Sequence, residues 1–498
     1  VSPADGSPLA PVASTSPSEL SLRIAAARAA QGAWANRSAR ERATVLLAVK
    51  DRILERAEAI ARTIHLETGK PEVEALMGEV LPGGDIVDYW TESIEELLDV
   101  NEVELDGARY SRKSGCIFRE ARGLVALLTP SNYPVAVPLR TLLPALLVGN
   151  AVVWKPSEIA PRTGQMVFEL FDGLLPKDIL VLVQGADDLG AALASADVDL
   201  VVFTGNVATG RKVAHACAER ISPCVLELGG KDAAIVLADA NLERAANGVV
   251  WGALTNAGQS SSSIERVYVE SAVAKAFIDK VVEGVKALRP GVDFGPLTSE
   301  ARVQAVLAQV SAAKAAGARI LVEGEAKGLV LSPSVVQVDN DDSPLMQEET
   351  FGPVIPIAVV ADAEEAIRRA NASRFGLTAS LWTKRIRRAE KMAHRLRAGV
   401  VTINNHGLTG ALPVAPFCGH GESGYGVSNS PLALDSLTRP RFVLTDRNRK
   451  KRELSWYPYN PVLRAVALSM AVLGSRSTGI FRKIGAFFRL LTSRPRRF

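Results

Sequence analysis

Short apolar runs separated by helix-like stretches recur along this chain, and few folds accept that pattern. Residues 123–128, 151–154 and 200–203 form a first set. Residues 233–237, 267–269, 319–322, 354–358 and 400–403 form a second. A strand that is apolar without alternation is buried on both faces, and the helices between such strands supply the crossovers of a parallel sheet. The chain therefore reads as an α/β protein of two Rossmann-like doubly wound lobes, with a boundary near Gly229-Gly230. Ahead of them, residues 18–67 are rich in Ala, Leu and Arg with helical spacing, and Ser38-Ala39-Arg40-Glu41 is a capping box. Residues 105–122 alternate apolar and polar as an exposed hairpin does. No repeat of fixed period is present.

At 498 residues the chain exceeds one small core, and 47% apolar with 22% charged residues excludes global disorder. Four cysteines, Cys116, Cys217, Cys224 and Cys418, are too scattered for a disulfide framework and show no C-x-x-C metal spacing, so no metal is expected. They imply a reduced, cytoplasmic setting. Cys217 and Cys224, on the helix and strand before Glu227, read as inert core, and Cys418 as a small buried thiol. No secretory signal opens the chain; residues 1–17, rich in Ser, Pro and Ala, read as a mobile leader. The absence of an initiator Met fits a processed or engineered chain.

Charge is distributed unevenly. From Arg447 to Phe498 there are 13 Lys or Arg and one acid, Glu453, so the tail carries +12 and the total of +4 leaves the remainder at −8. A mildly acidic body gives no case for nucleic-acid binding, and the tail needs its own account. The apolar stretch 462–473 is interrupted by Arg464 and is too short to span a bilayer. Ile480, Phe481, Ile484, Phe487, Phe488 and Leu491 share one helical face, with Arg482 and Arg489 opposite. Such a helix suits an anionic membrane surface. The alternative is docking on the protein body or on a partner subunit.

Seven motifs occur in a fixed order. They are Thr129-Pro-Ser-Asn-Tyr-Pro134, Trp154-Lys-Pro-Ser-Glu158, Phe203-Thr-Gly-Asn-Val-Ala-Thr-Gly210, Leu226-Glu-Leu-Gly-Gly-Lys231, Asn256-Ala-Gly-Gln-Ser-Ser261, Glu349-Thr-Phe-Gly-Pro353 and Pro416-Phe-Cys-Gly-His-Gly-Glu-Ser-Gly424. Each alone is weak. The ordered set resembles the aldehyde dehydrogenase superfamily over roughly residues 18–446. That resemblance implies a dinucleotide-binding domain at 18–104 and 123–229 and a catalytic domain at 230–410. It also implies oligomerisation and bridging segments at 105–122 and 411–446, before the basic tail at 447–498. A homodimer or dimer of dimers is expected, with the strand near 438–444 joining the hairpin in the arm.

The activity implied is oxidation of an aldehyde to its acid with NAD(P)+. A thiolate adds to the carbonyl, hydride leaves to the cofactor, and the thioester is hydrolysed. Asn132 matches the oxyanion-binding amide, with the backbone N–H at 261 as second donor. Glu227 matches the base that activates water; it also argues against a CoA-acylating relative. Gly205, Asn206 and Gly210 match the turn into a helix facing the pyrophosphate. Lys155, Ser157 and Glu158 match the adenosine-ribose site, and a carboxylate there favours NAD, although some relatives accept NADP as well. Leu228 and Gly229 complete the cradle, Glu349 matches the nicotinamide-ribose ligand and Phe351 the ring beside it. Tyr133 is a candidate pocket wall.

The pattern breaks at the nucleophile, where Ser261 stands in place of the family's cysteine. A thiol near pKa 8.5 is readily ionised, whereas an alcohol needs a dedicated base. None of the histidines (His65, His215, His394, His406, His420) matches a family position for such a base. Loss of turnover by several orders of magnitude is expected. The change reads as a deliberate Cys→Ser substitution; the alternative is a natural non-catalytic relative that binds nucleotide or membrane. The tail bears only a loose likeness to the anchors of long-chain fatty aldehyde dehydrogenases, which implies a lipophilic aldehyde and attachment at the cytoplasmic membrane face.

Overall fold

The computed structural model describes residues 1–107, 110–453, 456–459 and 461–492, and every element named below belongs to them. Part of the expected hairpin (108–109) and parts of the expected tail (454–455, 460 and 493–498) lie outside the described residues. The chain divides into two compact units. One comprises 1–99 with 119–441, the other 100–118 with 442–498.

In chain order the principal strands are β1 (Asn101–Val103), β2 (Lys113–Ala121), β3 (Leu124–Leu128), β4 (Ala151–Lys155), β5 (Leu180–Leu182), β6 (Leu200–Thr204) and β7 (Cys224–Glu227). They continue with β8 (Asp232–Val236), β9 (Ile264–Glu270), β10 (Arg319–Val322), β11 (Ser334–Val338), β12 (Val354–Val360), β13 (Thr378–Trp382), β14 (Val400–Ile403), β15 (Gly424–Tyr425) and β16 (Thr438–Asp446). The first lobe holds a sheet in the order β15-β7-β6-β3-β4-β5, parallel apart from β15. The second holds β10-β11-β12-β9-β8-β13-β14, parallel apart from β10. Every residue of β3, β4, β8, β9 and β13 is buried, including polar and charged ones in β9 and β13, as strands covered on both faces by helices require. The sheets change over between Glu227 and Asp232, at Gly229-Gly230.

The N-terminal helices follow the sequence signals. Ser38 and Glu41 form the capping box at the start of Ala39–Leu46, and Gly69 closes Ala57–Thr68 in the left-handed region. Residues 1–16, expected to be a mobile leader, contain no helix or strand but are tied down. Thr15 N–H donates to the Gln184 carbonyl at 2.7 Å, Gln184 N–H donates back to Thr15 Oγ1 at 3.1 Å, and Ser2 is buried. Residues 411–446 divide differently from the expectation, because β15 adds to the first-lobe sheet beside β7.

The smaller unit carries β1 paired antiparallel with β2, so the hairpin begins at Asn101 rather than 105. In the three-stranded sheet β2 lies between β1 and β16. Helices Pro461–Gly474 and Ile480–Thr492 follow. Val466, Ser469 and Ala486 are buried, while Ile480, Phe481, Ile484, Phe487, Phe488 and Leu491 are exposed, Phe481 to 86%. No helix among the described residues is long and apolar enough to cross a membrane.

Candidate active site

A cavity of about 1410 Å³ lies where the carboxyl ends of the first sheet meet segments of the second lobe. Strand β3 pairs with β4 on one side and β6 on the other, which makes their carboxyl ends a topological switch point, the usual place for a ligand crevice. Asn132 follows β3, Lys155 ends β4, Gly205 follows β6 and Glu227 ends β7. Ser261 arrives on the segment before β9, and Glu349 on the segment before β12. All six line the cavity.

The loop bearing Asn132 is fixed from beneath by a buried ion pair. Lys70 Nζ lies 2.5 Å from Glu79 Oε1, and neither side chain reaches solvent. Charges this deep are tolerated only when every valence is used. Lys70 also donates to the Asn132 carbonyl at 2.8 Å and sits 4.1 Å from the Tyr133 ring centroid. Glu79 Oε2 accepts the N–H groups of Val135 and Ala136 at 2.9 and 3.1 Å, at the start of helix Ala136–Leu147. Asn132 Nδ2 donates to the Gln259 carbonyl at 3.1 Å, so the amide already faces the nucleophile loop. Burial pushes the Tyr133 hydroxyl well above its ordinary value, which keeps it protonated.

The nucleophile loop is held by its backbone. Asn256 and Ala257 both lie at φ +54°, and Glu74 accepts from Thr255 Oγ1 at 2.6 Å and from Asn256 N–H. Gly258, at φ +73°, packs so closely on the Gly352 carbonyl that a β-carbon would collide with it. Gly230 stands in the same relation to the Ser261 carbonyl. Ser261 Oγ has no hydrogen-bond partner among the described residues.

His406, which matches no family position for a base, nonetheless lies beside the Ser261 loop. Its Nε2 lies 2.7 Å from the Ser262 carbonyl, so Nε2 carries the proton, and its buried Nδ1 has no partner among the described residues. Burial pulls its pKa down to about 4, more than the Ser262 contact restores. A neutral imidazole this weakly basic is a poor acceptor for an alcohol proton.

Glu227 is buried and paired. Arg140 Nη2 lies 2.7 Å from Glu227 Oε2, which Thr204 Oγ1 also approaches at 3.4 Å. The guanidinium stacks 5.0 Å from the Phe417 centroid, and its Nε has no partner among the described residues. Arg140 sits in the apolar helix Ala136–Leu147, where a lone cation in the sequence carries no periodic signal.

The remaining predicted residues line the same chamber. Lys155 Nζ approaches Glu158 Oε2 at 3.2 Å and the Pro156 carbonyl at 3.3 Å, with Ser157 beside them. Asn206 caps helix Val207–Arg220 by accepting from Thr209 N–H at 2.8 Å, and Gly210 in its first turn leaves room for Leu228. Gly229 leaves room for the Glu349 carboxylate, which accepts from Gly230 N–H at 3.2 Å. Burial, reinforced by Glu265, raises the Glu349 carboxyl to about 7. Phe351 lies at φ +50° with Arg302 stacked 5.2 Å from its ring centroid. A second buried pair fixes this loop. Lys231 Nζ lies 2.7 Å from Glu265, which accepts from Thr350 N–H at 2.7 Å and Phe351 N–H at 2.8 Å. Of the cysteines, Cys217 is buried in the core, Cys224 is partly buried against it, and Cys418 is partly buried with its thiol pushed up by burial.

Comparison with known proteins gives one answer. Residues 1–443 match the description "Aldehyde dehydrogenase family". The chain is 36% identical over 469 residues to the 4,4'-diapolycopene aldehyde oxidase of Methylomonas sp, covering 92% of this chain and 88% of that protein. Among solved structures it resembles an aldehyde dehydrogenase from Burkholderia cenocepacia, with TM-score 0.87, 30% identity, and coverage of 92% and 95% of the two chains. It also resembles PnpE, known from Pseudomonas sp. WBC-3, in complex with nicotinamide adenine dinucleotide, with TM-score 0.86, 33% identity, and coverage of 90% and 94%.

The Lys70–Glu79 pair makes a stability prediction. Glu79→Ala strands a buried ammonium and should cost about 3–5 kcal/mol, read as a lower urea midpoint, while the paired change Lys70→Met with Glu79→Leu should recover most of that loss. Equal midpoints for wild type and Glu79→Ala would contradict the assignment.

Proposed function

The chain belongs to the aldehyde dehydrogenase family, and from that premise we propose that its cavity is a dehydrogenase centre whose chemistry is arrested at Ser261. NAD(P) is the cofactor of such enzymes and takes the hydride from the bound substrate. The residues fit a dinucleotide. The capped start of helix Val207–Arg220 offers free N–H groups to a pyrophosphate. Lys155 with Glu158 suits one ribose and Glu349 the other. Gly229 lets the Glu349 carboxylate come in close beside that ribose position. Glu158 favours NAD over NADP.

In the catalytic half, residue 261 adds to the aldehyde carbon and Asn132 Nδ2 turns from the Gln259 carbonyl to the developing oxyanion. With sulfur at 261 the product of hydride loss is a thioester. Glu227 then takes a proton from water as it attacks the acyl carbon, and must share its carboxylate with Arg140 while doing so. Oxygen at 261 halts the sequence at its first step. The only imidazole beside the loop among the described residues is His406, which is too weak a base to ionise an alcohol. The carrying observation is that Ser261, Asn132, Glu227 and Glu349 line one chamber.

The substrate class we favour is a lipophilic, long-chain aldehyde. The similar protein from Methylomonas is a 4,4'-diapolycopene aldehyde oxidase. The C-terminal helices expose a face of Ile, Phe and Leu flanked by cations, which suits the surface of an anionic bilayer. The protein then works peripherally, at the cytoplasmic membrane face, and as a homo-oligomer whose arm is the sheet of β1, β2 and β16.

Ser261→Cys should raise NAD reduction with aliphatic or aromatic aldehydes by roughly a thousandfold or more over the unaltered chain. No NADH from the cysteine form across such a panel would leave only a binding role.

Cofactor affinity should depend on pH through Glu349. Its carboxyl is raised and loses its proton near 7, and only the carboxylate accepts from both ribose hydroxyls. Affinity for NAD should therefore fall roughly tenfold as pH drops from about 8 to about 6. Glu349→Gln should flatten the titration, measured by fluorescence or calorimetry.

Anionic liposomes should float the full chain and leave behind a chain ending at Asp446. Equal recovery of the two forms would remove the membrane assignment.

A further inference from the structure

Three side chains outside the catalytic chamber meet at the edge of the first lobe. Helix Val207–Arg220 stops at Ile221, which takes the left-handed region, and Ser222 N–H closes the turn on the Cys217 carbonyl at 3.0 Å. Strand β7 starts three residues later at Cys224. The turn sets Cys217 at the end of the helix and Cys224 at the start of the strand, near enough for each thiol to perturb the other. Tyr425, on β15 opposite Leu226, puts its hydroxyl 2.9 Å from Cys224 Sγ. Cys217 is buried at 2% exposure, whereas Cys224 is half-exposed. One sulfur can be reached from solvent, and a sheltered one waits behind it.

The electrostatics separate their roles. The Cys217 hydrogen bond, helped by the Tyr425 hydroxyl and opposed by burial, pulls the Cys224 thiol down to about 6. The same contact and burial push Cys217 up, so the shared proton stays there. Burial and the Cys224 contact hold Tyr425 at about 12, which keeps it a donor. Nothing in aldehyde oxidation uses these groups.

We propose that Cys224 and Cys217 form a peroxide-reactive dithiol that closes to a disulfide, with Cys224 as the attacking sulfur and Cys217 as the resolving one. Cys224 sulfur attacks one oxygen of hydrogen peroxide. The S–O bond forms, the O–O bond breaks, and the departing hydroxide leaves as water with the thiol's proton. Cys217 sulfur then attacks Cys224 sulfur. The S–S bond forms, the S–O bond breaks, and a second water leaves with the Cys217 proton. The two thiols give up two electrons and the peroxide takes both. The disulfide would sit on the strand that ends at Glu227.

The test uses the full chain as it stands, with Ser261 leaving no catalytic cysteine to compete. After brief exposure to hydrogen peroxide, free thiols are alkylated and the protein is digested with trypsin. Cleavage after Arg220 puts the two cysteines on separate peptides. A linked pair, two hydrogens lighter than the sum, should form about ten times faster than any oxidation of Cys116 or Cys418. Cys217→Ser should stop at a Cys224 sulfenic acid captured by dimedone, and Tyr425→Phe should slow the first step. Oxidation of Cys116 or Cys418 first, or oxidation of Cys224 without linkage to Cys217 in the unaltered chain, would overturn the proposal.

Discussion

Two buried lysine–glutamate pairs organise this chamber, one from each side. An ammonium and a carboxylate out of water are costly, and the cost is met only when the remaining lone pairs and protons also find partners. Lys70 and Glu79 find theirs on the backbone of the Asn132 loop. Lys231 finds its further partner in the Thr350 hydroxyl, and Glu265 finds its own on the backbone N–H groups of Thr350 and Phe351. The requirement to satisfy buried charge thus becomes the means of holding two irregular loops in place. Helices and strands could not do this, because neither loop has a repeating hydrogen-bond ladder of its own. Phe351 keeps a positive φ under the same restraint.

Against this scaffold the chemistry turns on basicity. Cysteine needs little help to ionise, so a family built around it has no reason to place a base beside the nucleophile. The serine at 261 inherits that lack. His406 comes near but is desolvated into neutrality, and Glu227 is engaged with Arg140. Arg140 also gives this chamber a cation among otherwise apolar helix residues, with one N–H still unsatisfied.

Much of the architecture was legible in the chain because buried parallel strands leave an unmistakable apolar imprint. The runs at 123–128, 151–154 and 233–237 correspond to β3, β4 and β8. Short or mixed strands were not singled out: Leu180–Leu182 has three residues, and Thr378–Trp382 begins Thr-Ala-Ser. The lining residues Asn132, Glu227, Ser261 and Glu349 could be read because each sits in a motif. Lys70, Glu79, Arg140 and His406 could not. The groups they hold lie far off along the chain, 62 residues from Lys70 to Asn132, 87 for Arg140 and 144 for His406, and no local pattern announces such a meeting. Cys217 is core, as cysteine composition suggests, whereas the partial exposure of Cys224 depends on where the turn at Ile221 leaves it.

The main-chain packing of Gly258 on Gly352 and of Gly230 on the Ser261 carbonyl has an evolutionary corollary. Position 261 is located by its neighbours' backbones, and its side chain bears no structural weight. Oxygen and sulfur are therefore interchangeable there as far as the fold is concerned. A single-atom exchange at 261 therefore needs no repair elsewhere, and a lineage could pass through it in either direction while the protein it inherits stays the same shape.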